Sequence, residues 1–173
     1  MRLARIFQFT TLSLIIFFFY LPIANAQSIT PVGYWDQYSD KTGQLQSIIY
    51  IWAEDNELKG RIVKGFPVKG KAPNHYCTKC SGEFKNKRII DLTMMWGLTY
   101  NAHNQKWEGG HILDPQGGGV YRLLGVLSPD NKQFTIRAYI GVSLLGRSQT
   151  WVRISEAQMK EQLAQIKKVI GDS

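Results

Sequence analysis

"VYRLLGVLSPDNKQFTIRAYI", Val120 to Ile140, decides the class of the fold. Two β-favouring runs, Val120–Leu127 and Phe134–Ile140, flank the turn formers Ser128-Pro129-Asp130-Asn131, so the chain reverses here and pairs with itself. The same grammar recurs on both sides. Further strands are predicted at Gly33–Tyr38, Leu45–Ala53, Leu58–Val63, Ile89–Met94, Trp107–Leu113 and Ser148–Ile154. Turns are supplied by Asp40-Lys41-Thr42-Gly43, Glu54-Asp55-Asn56-Glu57, Asn101–Gln105 and Asp114-Pro115-Gln116-Gly117. Eight strands at hairpin spacing predict an all-β antiparallel meander that closes into a barrel, because closure removes the unpaired edges. A β-sandwich is the alternative.

After Ile154 the period changes. Ser155 and Gln158 form a capping box, and Met159, Leu163, Ile166 and Ile170 make one apolar stripe of an amphipathic helix that stops at Gly171. A narrow stripe with Lys and Gln on the other face is expected to dock on its own domain rather than on a membrane.

The first residues, "MRLARIFQFTTLSLIIFFFYLPIANA", have the form of an export signal: two arginines, an apolar run, then the small-x-small site Ala24-Asn25-Ala26. Residues 1–26 are expected to be removed, leaving a barrel domain at 27–154 and the helix at 155–173. Periplasmic or secreted location follows. The apolar run is short for a membrane span, and no cysteine follows the cleavage site to carry a lipid anchor. The formal net charge of the chain is +8, and loss of Arg2 and Arg5 brings it to +6. All of that excess sits between Lys64 and Arg88, where Lys64, Lys69, Lys71, Lys79, Lys85, Lys87 and Arg88 face the single anion Glu83.

That interval is too long for an idle connection and holds both cysteines, in "NHYCTKC", residues 74–80. In an oxidising compartment Cys77 and Cys80 most simply pair with each other. Two alternatives stay open. His75, Cys77 and Cys80 are a nearby trio for a metal, although structural zinc takes four ligands and His103 and His111 are distant in sequence. The cations around Lys79 favour a thiolate, but the residues that follow read as turn and strand, not as the helix start of a thioredoxin-type redox centre.

Several strings together carry a resemblance: "GYWDQY", "LKGRI", the Cys pair followed by "IIDLTMMWGL", "KWEGGHILDPQGGGVYRLLGVLSPDNKQFTIRAYIG" and "LLGRSQTWVRI". In this order they resemble the secreted bacterial family called domain of unknown function 2147, over roughly Val32 to Ile154. The resemblance implies a lipocalin-like β-barrel, exported, with no established enzyme activity. It also implies that Trp35 of Gly33-Tyr34-Trp35 and the basic Arg153 of Trp151-Val152-Arg153 close one end of the barrel, the guanidinium lying across the indole. Asp91 stands where the family has a small residue, usually glycine, a departure that bears on backbone or packing there. The terminal helix lies outside the shared strings.

Candidate ligand contacts come from the last strand. Period two places Arg147, Gln149, Trp151 and Arg153 on one side and Ser148, Thr150, Val152 and Ile154 on the other. With the tryptophan row inward, Arg147 and Gln149 enter the barrel and need partners: an internal network, water, or a ligand with an acidic or carbonyl group. The opposite facing would leave that row in solvent. Among the aromatics Tyr34, Trp52, Trp96, Tyr121 and Tyr139, a minority are expected to touch ligand, with Trp96, Tyr121 and Tyr139 as candidate walls.

Catalysis has thin support. Glu108, His111 and Asp114 are close in sequence but lack a nucleophile motif, and "DPQGGG" has the glycines of a phosphate loop without its Gly-Lys-Ser/Thr ending. No cofactor and no enzyme activity are expected. The aromatic residues Phe66, Tyr76 and Phe84 among cations would fit nucleic acid, which export disfavours; anionic lipid or another envelope surface is the more available partner for the basic loop. The expectation is an exported barrel that binds a small apolar or amphipathic ligand. Alternatives are an envelope-binding module acting through residues 64–88, or a thiol-redox or metal protein.

Overall fold

The structure is a computed structural model that describes residues 29–67 and 75–171, with side chains described through residue 165. The expected export signal therefore lies outside the described residues, as do Lys69 and Lys71 of the basic loop. Eight antiparallel strands follow one another around a closed barrel: β1 Gly33–Tyr38, β2 Leu45–Glu54, β3 Glu57–Gly65, β4 Thr93–Asn101, β5 Lys106–Leu113, β6 Val120–Leu127, β7 Gln133–Tyr139 and β8 Arg147–Ile154. Seven agree with the strands expected from the sequence to within a residue or two. The fourth is displaced: pairing starts at Thr93, not at Ile89. Ile89 and Ile90 belong instead to the approach, where the Leu92 amide donates to the Ile89 carbonyl and Asp91 sits at φ 67. That left-handed backbone is the conformation glycine takes most easily, so the small residue expected here from the resemblance would have a physical reason.

Side chains fill the barrel. Trp35, Ile49, Ile51, Leu58, Met95, Leu98, Leu123, Phe134 and Trp151 are all at most 1% exposed. Their inward direction is fixed by the gaps they occupy: Met95 and Ile51 fill the space over Gly60, Leu98 that over Gly110, and the Phe134 ring that over Gly125.

The barrel closes where β1 meets β8, in three paired positions: Tyr34 with Ile154, Trp35 with Arg153 and Asp36 with Val152. The Arg153 guanidinium lies 4.2 Å from the centre of the Trp35 ring. Arg153 also donates to the carbonyls of Asn131 (2.6 Å), Val32 (2.7 Å) and Thr30 (2.6 Å) and to the Asn131 side-chain oxygen (2.7 Å). Burial lowers its pKa from the ordinary guanidinium value. Trp35 Nε1 donates to the Pro31 carbonyl at 2.8 Å, so ring and guanidinium together fasten the incoming chain over this end. Gly33 makes the approach possible: it has φ 132, and a β-carbon there would stand 2.9 Å from Arg153 Nη1.

Outside the seam lies α1, Glu156–Gly171, begun by the expected capping box: the Ser155 amide donates to Gln158 Oε1 and the Gln158 amide to Ser155 Oγ. Met159 is buried with Ile48 and Ile154, and Leu163, Tyr34, Val63 and Phe66 pack around them. Ile166 and Ile170, the rest of the expected stripe, carry side chains outside the described ones. The helix buries Asp36, whose Oδ2 accepts from Gln162 Nε2 and Tyr38 Oη, both at 3.1 Å.

Arg153→Leu, which keeps bulk but removes the donors, is expected to lower unfolding free energy by about 2–4 kcal/mol in urea titration, since three backbone carbonyls lose a charged partner. Gly33→Ala is expected to cost about 1–2 kcal/mol in the same assay through its positive φ and the clash with Arg153.

Candidate functional site

The polar row of β8 faces inward, as the closure required, but its groups are already engaged. Gln149 Oε1 accepts from Gln37 Nε2 at 2.9 Å and from Trp151 Nε1 at 3.0 Å, while Gln149 Nε2 donates to the Tyr38 carbonyl at 3.0 Å. Ser47 Oγ completes the chain by donating to Gln37 Oε1. Arg147 stands at the rim, 68% exposed, with its Nη2 2.6 Å from Asp40 Oδ2. Every member of the row except Trp151 reaches across the β1–β8 seam. Of the open possibilities for these buried polar groups, an internal network is the one found.

The aromatic candidates divide. Tyr121 points inward with Leu123 and is half-buried, its ring and hydroxyl beside Gly119 at the end of the barrel opposite Arg153. Trp96 and Tyr139 have the other parity: they alternate with inward Met95 and Ala138 and stand on the outer wall. Tyr34 and Trp52 are outside as well, flanking Tyr50 on the β1–β2 wall, with Arg61 5.6 Å over the Tyr50 ring and 5.9 Å over Trp52.

On the outer wall the register assembles a row that the sequence reading missed. Trp96 pairs with His111, His111 with Arg122, and Arg122 with Tyr139, so four strands each contribute one side chain to one line. Phe84 extends it: its ring lies 5.6 Å from Trp96, and Trp96 lies 5.7 Å from His111 at an interplanar angle of 15°. Beside the row β5 irregularly passes Gly109 and Gly110, which offer no side chains, and a recess of about 260 Å³ opens, lined by these glycines with His111, Arg122 and Tyr139. Among the described residues the imidazole, guanidinium and phenol make no hydrogen bond or ion pair with a protein partner. Three donors therefore converge on a hollow without an acid among its lining groups.

The cysteines form a disulfide, with Cα atoms 5.3 Å apart, so the thiol-redox and metal readings would have to start from a bonded pair. Among the described residues no three His, Cys, Asp or Glu side chains gather as a metal set, and His75 stays separate from His103 and His111. Cys77 Sγ is 3.4 Å from the Pro115 carbonyl, and the Lys79 carbonyl abuts Gly118, whose φ of 84 and missing side chain allow the contact. The glycines of "DPQGGG" thus serve a turn packed against the cysteine loop. The acid candidates also part company: Glu108 accepts from Asn101 and Asn104 side chains, Asp114 caps the Gln116 amide, and His111 lies in the outer row.

The sequence profile of DUF2147, described as an uncharacterized protein conserved in bacteria, matches residues 33–153. The chain belongs to that family. Its DUF2147 barrel is similar in fold to protein HP1028 from the human pathogen Helicobacter pylori, which belongs to the lipocalin family. The TM-score is 0.63 at 13% identity, over 76% of this chain and 88% of that one. Curated proteins contain no match. At that identity the likeness is one of fold, and it agrees with the closed barrel.

If the β8 row is a seam rather than a ligand anchor, a double-mutant cycle of Gln37→Ala and Gln149→Ala is expected to give a coupling of about 1 kcal/mol in unfolding free energy without any ligand present. Tyr38 gives a pH test. Burial raises its pKa above the ordinary value near 10.0, with the Asp36 carboxylate adding to the shift. Its contribution is complete below the ordinary tyrosine value and is lost as pH rises through the raised one. The stability difference between Tyr38→Phe and the parent should therefore move in favour of the variant in alkaline buffer and stay constant at neutral pH.

Proposed function

We propose that the protein is an exported lipocalin-like binding protein for a small amphipathic ligand bearing an anionic group, and that the ligand docks at the wall recess. The observation that carries this is the convergence of Arg122, His111 and Tyr139, whose side chains make no hydrogen bond or ion pair among the described residues, on a hollow of about 260 Å³. Guanidinium, imidazole and phenol are donors suited to a carboxylate or phosphate, and Trp96 backs the imidazole by stacking on it. Export to the periplasm or outside is supported by the signal pattern of residues 1–26 and by the Cys77–Cys80 disulfide, which fits an oxidising compartment. Binding rather than catalysis is supported by the dispersal of Glu108, His111 and Asp114 to separate partners.

A ligand inside the barrel is the second reading. The half-burial of Tyr121, Ala138 and Gln149 at the end opposite Arg153 favours it, with Arg147 at the rim. Native mass spectrometry of protein exported by its own host should find a bound small molecule. A fluorescent fatty acid then serves as a displacement probe: Arg122→Ala is expected to weaken it about tenfold, the worth of one charge-assisted hydrogen bond, and Tyr121→Ala to leave it unchanged. The reverse pattern would move the ligand into the barrel. Absence of both co-purified ligand and probe binding would end the ligand reading.

A further inference from the structure

The connection from β7 to β8 holds four large apolar side chains out in solvent: Ile140, Val142, Leu144 and Leu145 are 72%, 62%, 84% and 81% exposed. Single exposed apolar residues are ordinary on a protein surface, but four within six consecutive positions form a patch. Their exposure is built in. Arg137 donates from Nε to the Ser143 carbonyl at 2.5 Å, from Nη2 to the Leu144 carbonyl at 2.8 Å and from Nη1 to Ser148 Oγ at 2.8 Å. One guanidinium thus holds the turn Ser143–Leu145 from below, with its two leucines directed away from the barrel.

The surroundings select the partner. At this end of the barrel Arg137 and Arg147 frame the loop and Arg122 lies opposite Tyr139 at its foot, against one acid, Asp40, which pairs with Arg147. Aliphatic tips over a cationic collar match an anionic bilayer, in which the apolar groups enter the acyl boundary and arginines remain at headgroup level. A second copy of the chain would bring the same cations together. A folded protein partner of ordinary affinity needs roughly 20–30 residues on each side, far more than one turn presents.

We propose that residues 140–145 are a membrane-docking loop that inserts Ile140, Val142, Leu144 and Leu145 into an anionic lipid surface, with Arg137 and Arg147 against the headgroups. This does not depend on the ligand reading, and it assigns surface contact to a different element from the basic loop of residues 64–88.

The test uses protein exported by its host, its N-terminus verified by mass spectrometry, with vesicles of phosphatidylcholine alone or mixed equally with phosphatidylglycerol. The protein should sediment with the anionic vesicles, and the double variant Leu144→Ser/Leu145→Ser should weaken this at least tenfold with an unchanged melting temperature. Lys79→Glu/Lys85→Glu should reduce it far less. Since both native cysteines are bonded, Leu144→Cys provides a single thiol for an environment-sensitive dye, whose emission should shift to the blue on anionic vesicles alone. Equal sedimentation of the double-serine variant, an unmoved dye, loss only on reversing the two lysines, or a dimer in solution that the double-serine variant abolishes would each overturn the proposal.

Discussion

Closure of β1 onto β8 is the constraint on which the remainder of the molecule depends. Only three residue pairs join these strands, whereas β2 and β3 share eight. A seam that short would be the weak point of a barrel, because opening it exposes two edges at once. The chain reinforces it on every side. Inside one end, Arg153 crosses to the Trp35 ring and to the carbonyls of Thr30 and Val32; midway, Gln149 binds Gln37 and the Tyr38 carbonyl; at the rim, Arg147 pairs with Asp40. Outside, Met159 of α1 covers Ile154 and Ile48, and Gln162 reaches Asp36. The exposed Arg147 pair adds little by itself, while most of the Arg153 and Gln149 contacts are partly buried and so less screened by water.

This division has a consequence for function. Side chains committed to closure are unavailable to a guest, and the core between them is filled by buried side chains such as Ile49, Leu98, Leu123 and Phe134. The unpaired donors lie on the wall instead, where β5 passes Gly109 and Gly110 and the row His111, Arg122, Tyr139 borders the gap. The likeness to a lipocalin-family protein is one of fold, and it does not say where a ligand would sit.

Much of the fold could be read from the chain because its signals are local. Turn chemistry such as Ser128-Pro129-Asp130-Asn131 and alternation such as Phe134, Ile136, Ala138 act within a few residues, and the Ser155–Gln158 capping box acts within one helical turn. Facing along β8 was legible too, since one tryptophan at the sealed end determines the parity of Arg147 and Gln149. What could not be read is register between strands. Trp96 and Tyr139, expected as walls of a ligand cavity, are 43 positions apart in the chain and meet in one row on the outer wall only because β4, β5, β6 and β7 align them; nothing local says that His111 and Arg122 stand between. The fourth strand was displaced for a related reason. Ile89 and Ile90 have strand-like side chains, but a left-handed Asp91 turns the backbone before the ladder begins.

The cysteine loop acquires its meaning from the same wall. A bond across two intervening residues closes too small a ring to restrain the unfolded chain much, so its effect is local. Locally it frames a tight structure: the Cys77 amide donates to the Lys87 carbonyl, and the Cys77 carbonyl accepts from both Cys80 and Asn86. Between those contacts lies the turn Gly82–Phe84, which brings the Phe84 ring onto Trp96. Trp96 in turn stacks on His111, one of the groups lining the recess. The disulfide therefore lies two stacked rings from the proposed site. Both cysteines are themselves buried members of the core cluster.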